Sequence, residues 1–282
     1  MSIVKSKTTK VGWTIQPSFT ITLHIRDLEL LNSVKNFFSV GTILIYKNTA
    51  QYRIRNKEEL RIIIKHFNEY PLYTSKSINF LYFCEILNLM DQKQHTNVTG
   101  FLKLASLINK LNNPLSESLL AKLLELGPLP NVELKVNNDI SKIKELNPFW
   151  LSGFITGEGS FTYFTRSRIN SAGSTVKDYT LIFEISQRTI DVHTLKMINS
   201  FFNEGNVFTD TKRSMSRYRL TINANTISIL SSHFNDYPLL GHKAKQWLAW
   251  LDLVNYLINN KNKINQDLNM LDELILEISK LN

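Results

Sequence analysis

Cysteine is almost absent from this chain: Cys84 stands alone among 282 residues, so an intrachain disulfide is excluded. Set in the run Phe80-Leu81-Tyr82-Phe83-Cys84-Glu85-Ile86-Leu87, it reads as a small buried hydrophobe and not as a nucleophile. Long apolar runs are missing as well. No stretch reaches the roughly 18 residues of a membrane-crossing helix, and the start Met1-Ser2-Ile3-Val4-Lys5 has the layout of neither a secretory signal nor a transit peptide. The six histidines show no short ligand spacing with one another or with cysteine, which argues against a structural zinc site. Acidic residues are in deficit. The 24 Asp+Glu against 33 Lys+Arg leave a net charge of +9, which points to a polyanionic partner. A membrane surface is disfavoured because the positive charges fall on segments of period two, not along one helical face. The abundance of Asn, Lys, Ile and Leu is what AT-rich codons encode, and leads us to expect an organellar, mitochondrial gene.

What the chain does contain is a repeat. Phe67-Asn68-Glu69-Tyr70-Pro71-Leu72 recurs as Phe234-Asn235-Asp236-Tyr237-Pro238-Leu239, an offset of 167. Upstream, Asp27, Leu31, Phe37-Phe38 and Gly41 recur as Asp191, Leu195, Phe201-Phe202 and Gly205 at an offset of 164, and Tyr52-Arg53 recurs as Tyr218-Arg219. Each half shows alternating strands, as in Phe19-Thr20-Ile21-Thr22-Leu23 and Phe183-Glu184-Ile185-Ser186-Gln187, interleaved with helices. Asp27 and Asp191 are expected to cap helices running to Phe38 and Phe202, and Gly41 and Gly205 to end them. The expected fold is α+β, with two halves of αββαββα type related by a pseudo-twofold axis and carrying antiparallel sheets. The expected domains are a first half at 1–111, a linker rich in Asn and Pro at 112–147 that retains short helices where Leu115 to Leu126 keeps helical apolar spacing, a second half at 148–260 and an amphipathic C-terminal helix at 261–282 packed on the second half.

Basic residues gather on the strands and their turns: Lys5, Lys7, Lys10, Lys47, Arg53 and Arg55 in the first half, and Arg166, Arg168, Lys177, Lys212, Arg213, Arg217 and Arg219 in the second. The pairs Arg53/Arg55 and Arg217/Arg219 are two residues apart, so each pair shares a strand face while the residue between turns to the core. A positive sheet face of this kind fits the major groove of duplex DNA.

The segment Leu151 to Phe161 reads as a close-packing helix that ends on one carboxylate. Asn147-Pro148 is a cap with proline at the first helical position, Gly153 and Gly157 line one face as a helix interface, and Gly159 is expected to stop the helix in a left-handed conformation, with Glu158 at its foot. This segment resembles the motif of the LAGLIDADG homing endonucleases and the related RNA maturases. Leu151, Gly153, Ile155 and Gly159 match it outright; Ser152, Phe154, Gly157 and Glu158 are near-equivalents, and Thr156 replaces an acid. The resemblance extends over nearly the whole chain. It implies two saddle-shaped sheets docked along a long duplex site, with each motif acid helping to hold a divalent metal, Mg²⁺, at a scissile phosphate. Glu158 matches such a metal ligand, Lys243 and Lys76 match a basic residue near the cleft, and Gln187 matches a polar residue beside the metal.

With an offset of 164, the counterpart of Leu151 to Phe161 falls before Met1, so the first half is expected to lack its motif helix. Three readings stay open: an upstream segment carries it, two chains associate through Gly153 and Gly157 as a homodimer, or the chain binds nucleic acid without cutting, as a relic or as a maturase whose partner is intron RNA. A monomer with one acid is expected to nick duplex DNA or leave it whole.

Overall fold

A computed structural model describes residues 1–134, 145–169, 173, 175–260 and 268–281. It divides into two compact units, Met1–Ile140 and Ser141–Asn282. Unit 1 runs β1 (Ser2–Lys5), β2 (Trp13–Gln16), β3 (Phe19–His24), α1 (Leu28–Phe38), β4 (Thr42–Tyr46), β5 (Thr49–Ile54), α2 (Lys57–Glu69), α3 (Lys76–Asp91), α4 (Val98–Asn109) and α5 (Glu117–Leu124). Unit 2 runs α6 (Pro148–Glu158), β6 (Gly159–Ile169), β7 (Thr175–Arg188), α7 (Val192–Phe202), β8 (Asn206–Asp210), β9 (Met215–Thr221), α8 (Ala224–Asp236), α9 (Gly241–Asn259) and α10 (Leu268–Leu281). The mixed α+β architecture is the one expected, and the order from β3 to α3 repeats from β7 to α9. Among the described residues, unit 1 has no counterpart of α6.

All strand pairs are antiparallel. Unit 2 holds one four-stranded sheet in the order β6-β7-β9-β8, whereas unit 1 splits the same layout into a hairpin, β1-β2, and a three-stranded sheet, β3-β5-β4. The break falls at Pro17, which has no N–H to give to a ladder. Its counterpart at offset 164, Leu181, sits inside the long strand β7 and pairs with Tyr163.

Each sheet buries one face beneath its helices. In unit 1 the alternating Ala50, Tyr52 and Ile54 share one core with Leu31, Leu60 and Ile63; in unit 2 Phe183, Ile185, Tyr218 and Leu220 are buried beneath α7, which contributes the buried Leu195 and Ile198. Asn56 accepts from Glu58 N and Glu59 N to cap α2, and Asn223 with Thr226 forms a capping box on α8. Asp27 and Asp191 precede α1 and α7 as expected, yet neither makes a side-chain capping bond, because a short 3₁₀ turn (Ile25–Asp27 and Thr189–Asp191) starts each helix instead. The helices end on Ser39 and Asn203 in the left-handed region, and Gly41 and Gly205 follow at φ of 78° and 85°, leading into the next strand.

The segment expected as a linker is, in its described part, not loose. Leu115, Leu119, Leu126, Leu129, Val132 and Leu134 pack on the core of unit 1 around the fully buried Leu123, and residues 135–144 lie outside the described residues. The tail forms α10, which packs on α9 through Leu271, Leu274 and Ile278. The remainder of the expected tail, 261–267 and with it Ile264, also lies outside the described residues, as does residue 282.

Candidate nucleic-acid interface and acidic site

Strand register decides which side chains share the open face of each sheet, since partners in an antiparallel pair point the same way. In unit 2, Ile185 pairs with Tyr218 and Phe183 with Leu220, which fixes the buried face. The other face therefore carries Arg166, Arg168, Glu184, Ser186, Asn206, Phe208, Arg217 and Arg219. In unit 1 the open face carries Thr20, Thr22, Thr42, Leu44, Gln51 and Arg53, with Arg55 directly after the strand. Ile54 and Tyr218, the residues between the arginines of each pair, are fully buried. Lys7 and Lys10 lie in the β1–β2 turn, Lys47 in the β4–β5 turn, and Lys212 and Arg213 in the β8–β9 turn.

Two expected contributors lie on the other side. Lys5 pairs with Trp13 on the face of its hairpin that carries the buried Ile3 and Ile15, and its Nζ sits 5.7 Å from the Trp13 ring centre. Lys177 pairs with Ser167 on the side of β7 that leads to the buried Leu181. Lys177 stands an odd number of steps along β7 from the open-face Glu184, so the two point to opposite faces.

Glu184 is among the open-face residues that were not singled out from the sequence. Glu184 receives Arg219 Nε at 2.8 Å and Nη2 at 2.7 Å, and lies 3.9 Å from Arg217 Nη1. The Arg219 guanidinium also lies 6.0 Å from the centre of the Phe164 ring. The carboxylate thus orients both guanidinium groups on the sheet surface. In unit 1, Arg53 donates to Gln51 Oε1, and Gln51 Nε2 donates to Thr22 Oγ1 at 3.1 Å. Alternation along Phe183-Glu184-Ile185 already assigns Glu184 to the open face, but its arginine partners follow only from the β7–β9 register.

The acidic site is built from the end of α6. Asn147 accepts from Phe149 N and Trp150 N with Pro148 in the first turn, as the sequence indicates. Leu151 and Ile155 are fully buried, and α6 packs on β6, β7 and α9. Gly159 departs from expectation: its backbone is extended, at φ −71° and ψ 148°, and not left-handed. Glycine is required there for proximity, because a Cβ would lie 2.7 Å from Ile155 O and 2.7 Å from Ile155 Cγ2. The helix can therefore pass straight into β6 and leave Glu158 exposed at the junction.

Lys243 on α9 donates its Nζ to Gly159 O at 2.6 Å, which brings a cation to the residue beside Glu158. Its helix is held by Trp250, whose Nε1 donates to Thr162 O at 2.9 Å, and by Trp247, 5.2 Å from the Phe161 ring. Gln187 lies on β7 two residues past Ile185, the partner of Gly159, so β7 overshoots β6 and carries Gln187 to the end of the sheet where α6 joins it. It is half-buried, opposite Ser216, on the helix-facing side. Lys76 is exposed at the start of α3 in unit 1. Gly153 and Gly157 are exposed, and a Cβ on either would meet nothing within 4 Å, so the expected interface is open among the described residues.

Behind α6, Ser152 Oγ donates to Tyr237 O at 2.6 Å and lies 3.0 Å from Nε2 of the buried His233. Burial holds the His233 imidazole below its ordinary pKa of 6.5, against an opposing pull from Asp236. A histidine kept neutral on folding stabilises the fold fully above the unfolded value, and that stability is lost as pH falls below it. The melting temperature is therefore expected to drop as pH falls below 6.5. His66 and His95 are shifted the same way by burial. Thermal melts of a His233→Gln variant between pH 5 and 8 test its share: the fall should be shallower, and an unchanged profile would discharge His233 from this role.

Comparison with known proteins gives consistent results. A family model described as LAGLIDADG endonuclease matches residues 1–87 and 151–254. "Probable intron-encoded endonuclease 3" of Neurospora crassa is 27% identical over 274 residues, which is 96% of this chain and 50% of that protein. "Probable intron-encoded endonuclease 2" of the same organism is 28% identical over 283 residues, 97% of this chain and 60% of that protein. The chain thus spans half to three-fifths of the length of these relatives. Among solved structures, the meganuclease I-SmaMI bound to uncleavable DNA matches with a TM-score of 0.85 and 30% identity, over 100% of this chain and 92% of that one. I-SmaMI bound to an uncleaved DNA target in the presence of calcium ions matches with a TM-score of 0.80 and 30% identity, over 99% of this chain and 91% of that one.

Proposed function

This chain belongs to the LAGLIDADG endonuclease family, and from that premise we propose that it binds a long duplex DNA site and hydrolyses a phosphodiester bond there with a divalent metal at Glu158. The observation that carries this reading is the junction of α6 and β6, where Glu158 is exposed and Lys243 holds the carbonyl of the next residue, at the end of a sheet whose open face bears Arg166, Arg168, Arg217 and Arg219. Each sheet would bind one part of the target. Arginines and turn lysines neutralise phosphates, while Gln51, Asn206, Thr20 and Thr22 offer hydrogen bonds to base edges.

Among the described residues no three His, Cys, Asp or Glu side chains come together as a metal cage. A lone exposed carboxylate still suits Mg²⁺, which takes one or two protein carboxylates and fills its shell with water and substrate phosphate oxygens. Bound there, the metal would activate water and offset charge on the leaving oxygen. Lys243 ties down the carbonyl next to Glu158 and so holds the carboxylate's backbone in place. Gln187 would act as a polar neighbour of the reacting phosphate, and Lys76 would offer a basic group to phosphate on unit 1.

Since Glu158 is the only motif acid among the described residues, the expected product of a monomer is a nick. Supercoiled plasmid carrying the intron-insertion site, incubated with Mg²⁺, checks this: a relaxed circle supports the reading, and complete double-strand cleavage by a monomer contradicts the one-acid argument. The same shortage favours a second reading, that of a protein which binds DNA or intron RNA without cutting it. The two are separated by whether any cleavage occurs at saturating binding. The intron-encoded relatives and the AT-rich composition together support an organellar, mitochondrial gene.

Binding should depend steeply on salt. Each phosphate contact removed lowers the slope of log K against log [salt] by about 0.9, so Arg217→Ala with Arg219→Ala is expected to reduce it by roughly 2. Lys5→Ala, on the opposite face of its hairpin, should leave it nearly unchanged. Fluorescence anisotropy at several salt concentrations measures both, and equal slopes for the two variants would remove the open face of unit 2 from the interface.

A further inference from the structure

A lone apolar side chain exposed on a sheet calls for no explanation, but one exposed at the same place in both units does. In unit 2, Phe208 lies on the edge strand β8, opposite Arg217 of β9, and is 52% exposed on the open face. In unit 1, Leu44 lies on the edge strand β4, opposite Gln51 of β5, and is 43% exposed. The neighbouring rows correspond as well, since Asn206 pairs with Arg219 and Thr42 with Arg53. Leu44 stands 164 residues before Phe208, the same spacing that relates Gly41 to Gly205 ahead of these strands.

In both units the polar residue opposite is drawn to the far side of the sheet. Arg217 lies 3.9 Å from Glu184, which belongs to β7, the strand on the other side of β9 from Phe208. Gln51 donates to Thr22 Oγ1 at 3.1 Å, and Thr22 belongs to β3, the strand on the other side of β5 from Leu44. These bonds leave the apolar side chains of the edge strands uncovered. Other exposed aromatics of the open faces have a cation against them: Phe164 lies 6.0 Å from the Arg219 guanidinium, and Tyr46 5.5 Å from Lys47 Nζ. Half of Phe208 is left to solvent, and Leu44 stays outside the core that takes in its neighbour Ile43.

A duplex offers such a side chain one match. Among the groups that base pairs present in the major groove, the thymine C5-methyl is apolar and the rest are hydrogen-bond donors and acceptors. The basic face around each residue draws it against base edges, where a polar edge would give up its bonds to water without replacement. We propose that Phe208 and Leu44 are specificity-determining residues, each reading one thymine through its methyl group, at corresponding places in the parts of the target bound by unit 2 and unit 1. This assignment rests on the duplex-binding reading above and adds two positions of base preference to it. The arginines and turn lysines keep the phosphates, which fix register but carry no sequence information.

The test uses the full chain and a duplex that it selects from a randomised pool. Each thymine is replaced in turn by deoxyuridine, which removes the methyl and leaves pairing and phosphates unchanged, and affinity is read by fluorescence anisotropy. One thymine in each part of the duplex is expected to show a loss of about fourfold, the worth of burying one methyl group. In Phe208→Ala the loss at one of these positions should vanish while the other remains, and Leu44→Ala should do the reverse. Phe208→Leu, which keeps an apolar contact, should retain the sensitivity. Both side chains are exposed, so these changes leave the cores intact. Saturable binding that no deoxyuridine weakens, or that deoxyuridine weakens equally in the parent and the alanine variants, would overturn the proposal and leave the duplex-binding reading standing. Failure of the chain to select any duplex would sink both.

Discussion

Glu158→Gln is expected to abolish DNA cleavage while leaving binding within about twofold of the parent. The glutamine keeps the size and hydrogen-bonding reach of the side chain but loses the charge that a hard divalent cation requires. Metal assistance contributes several kcal/mol to phosphodiester hydrolysis, and about 4 kcal/mol is roughly a thousandfold in rate. Binding is spared because the phosphate contacts are assigned to arginines and lysines elsewhere, and because Glu158 is exposed at the α6–β6 junction and supports no core. Parallel nicking and anisotropy assays in Mg²⁺ measure the two effects. Retained cleavage would remove Glu158 from the reaction, and a large loss of binding would recast it as a structural residue.

Trp250→Ala is expected to lower the stability of unit 2 by about 3–5 kcal/mol, the usual cost of truncating a large buried aromatic. The indole is fully buried, packs 5.3 Å from Phe161 and 5.8 Å from Trp247, and donates to Thr162 O. Its removal leaves both a cavity and a strand carbonyl without its donor. The same side chain pins α9 to β6, and α9 carries Lys243 to Gly159 O. Cleavage should therefore fall at temperatures where the chain is still folded, before melting begins. Denaturant unfolding gives the first quantity and cleavage rate against temperature the second. A loss below about 1 kcal/mol would mean that the site collapses around the smaller side chain.

Much of the architecture was legible in the residues themselves. The strand read at Phe19 to Leu23 appears as the start of β3, and the Asn147-Pro148 start of α6 appears as read, because capping and period-two burial are decided by neighbours a few residues away. The arginine pairs around Ile54 and Tyr218 were readable for the same reason. Lys5 and Lys177 were misplaced because composition gives a charge without a face, and the face depends on pairing with Trp13 and Ser167. The residues after 112 resembled a linker through their Asn and Pro, and the helical spacing of Leu115 to Leu126 is met by α5; that these leucines join the core of unit 1 is decided only by the folded unit.

What the sequence alone determined was the repeat, the α+β order, the basic strands and the helix ending in Glu158, all consequences of local periodicity and of similarity between distant segments. Tertiary structure alone decided that Glu184 sits between Arg217 and Arg219, that Ser152 reaches His233 across 81 residues of chain, and that Gly159 is needed for contact with Ile155 rather than for a left-handed turn. These depend on which strand lies beside which and on how closely a helix approaches a sheet. Such distances are set by the packing of the whole unit and are not encoded in the spacing of residues along the chain.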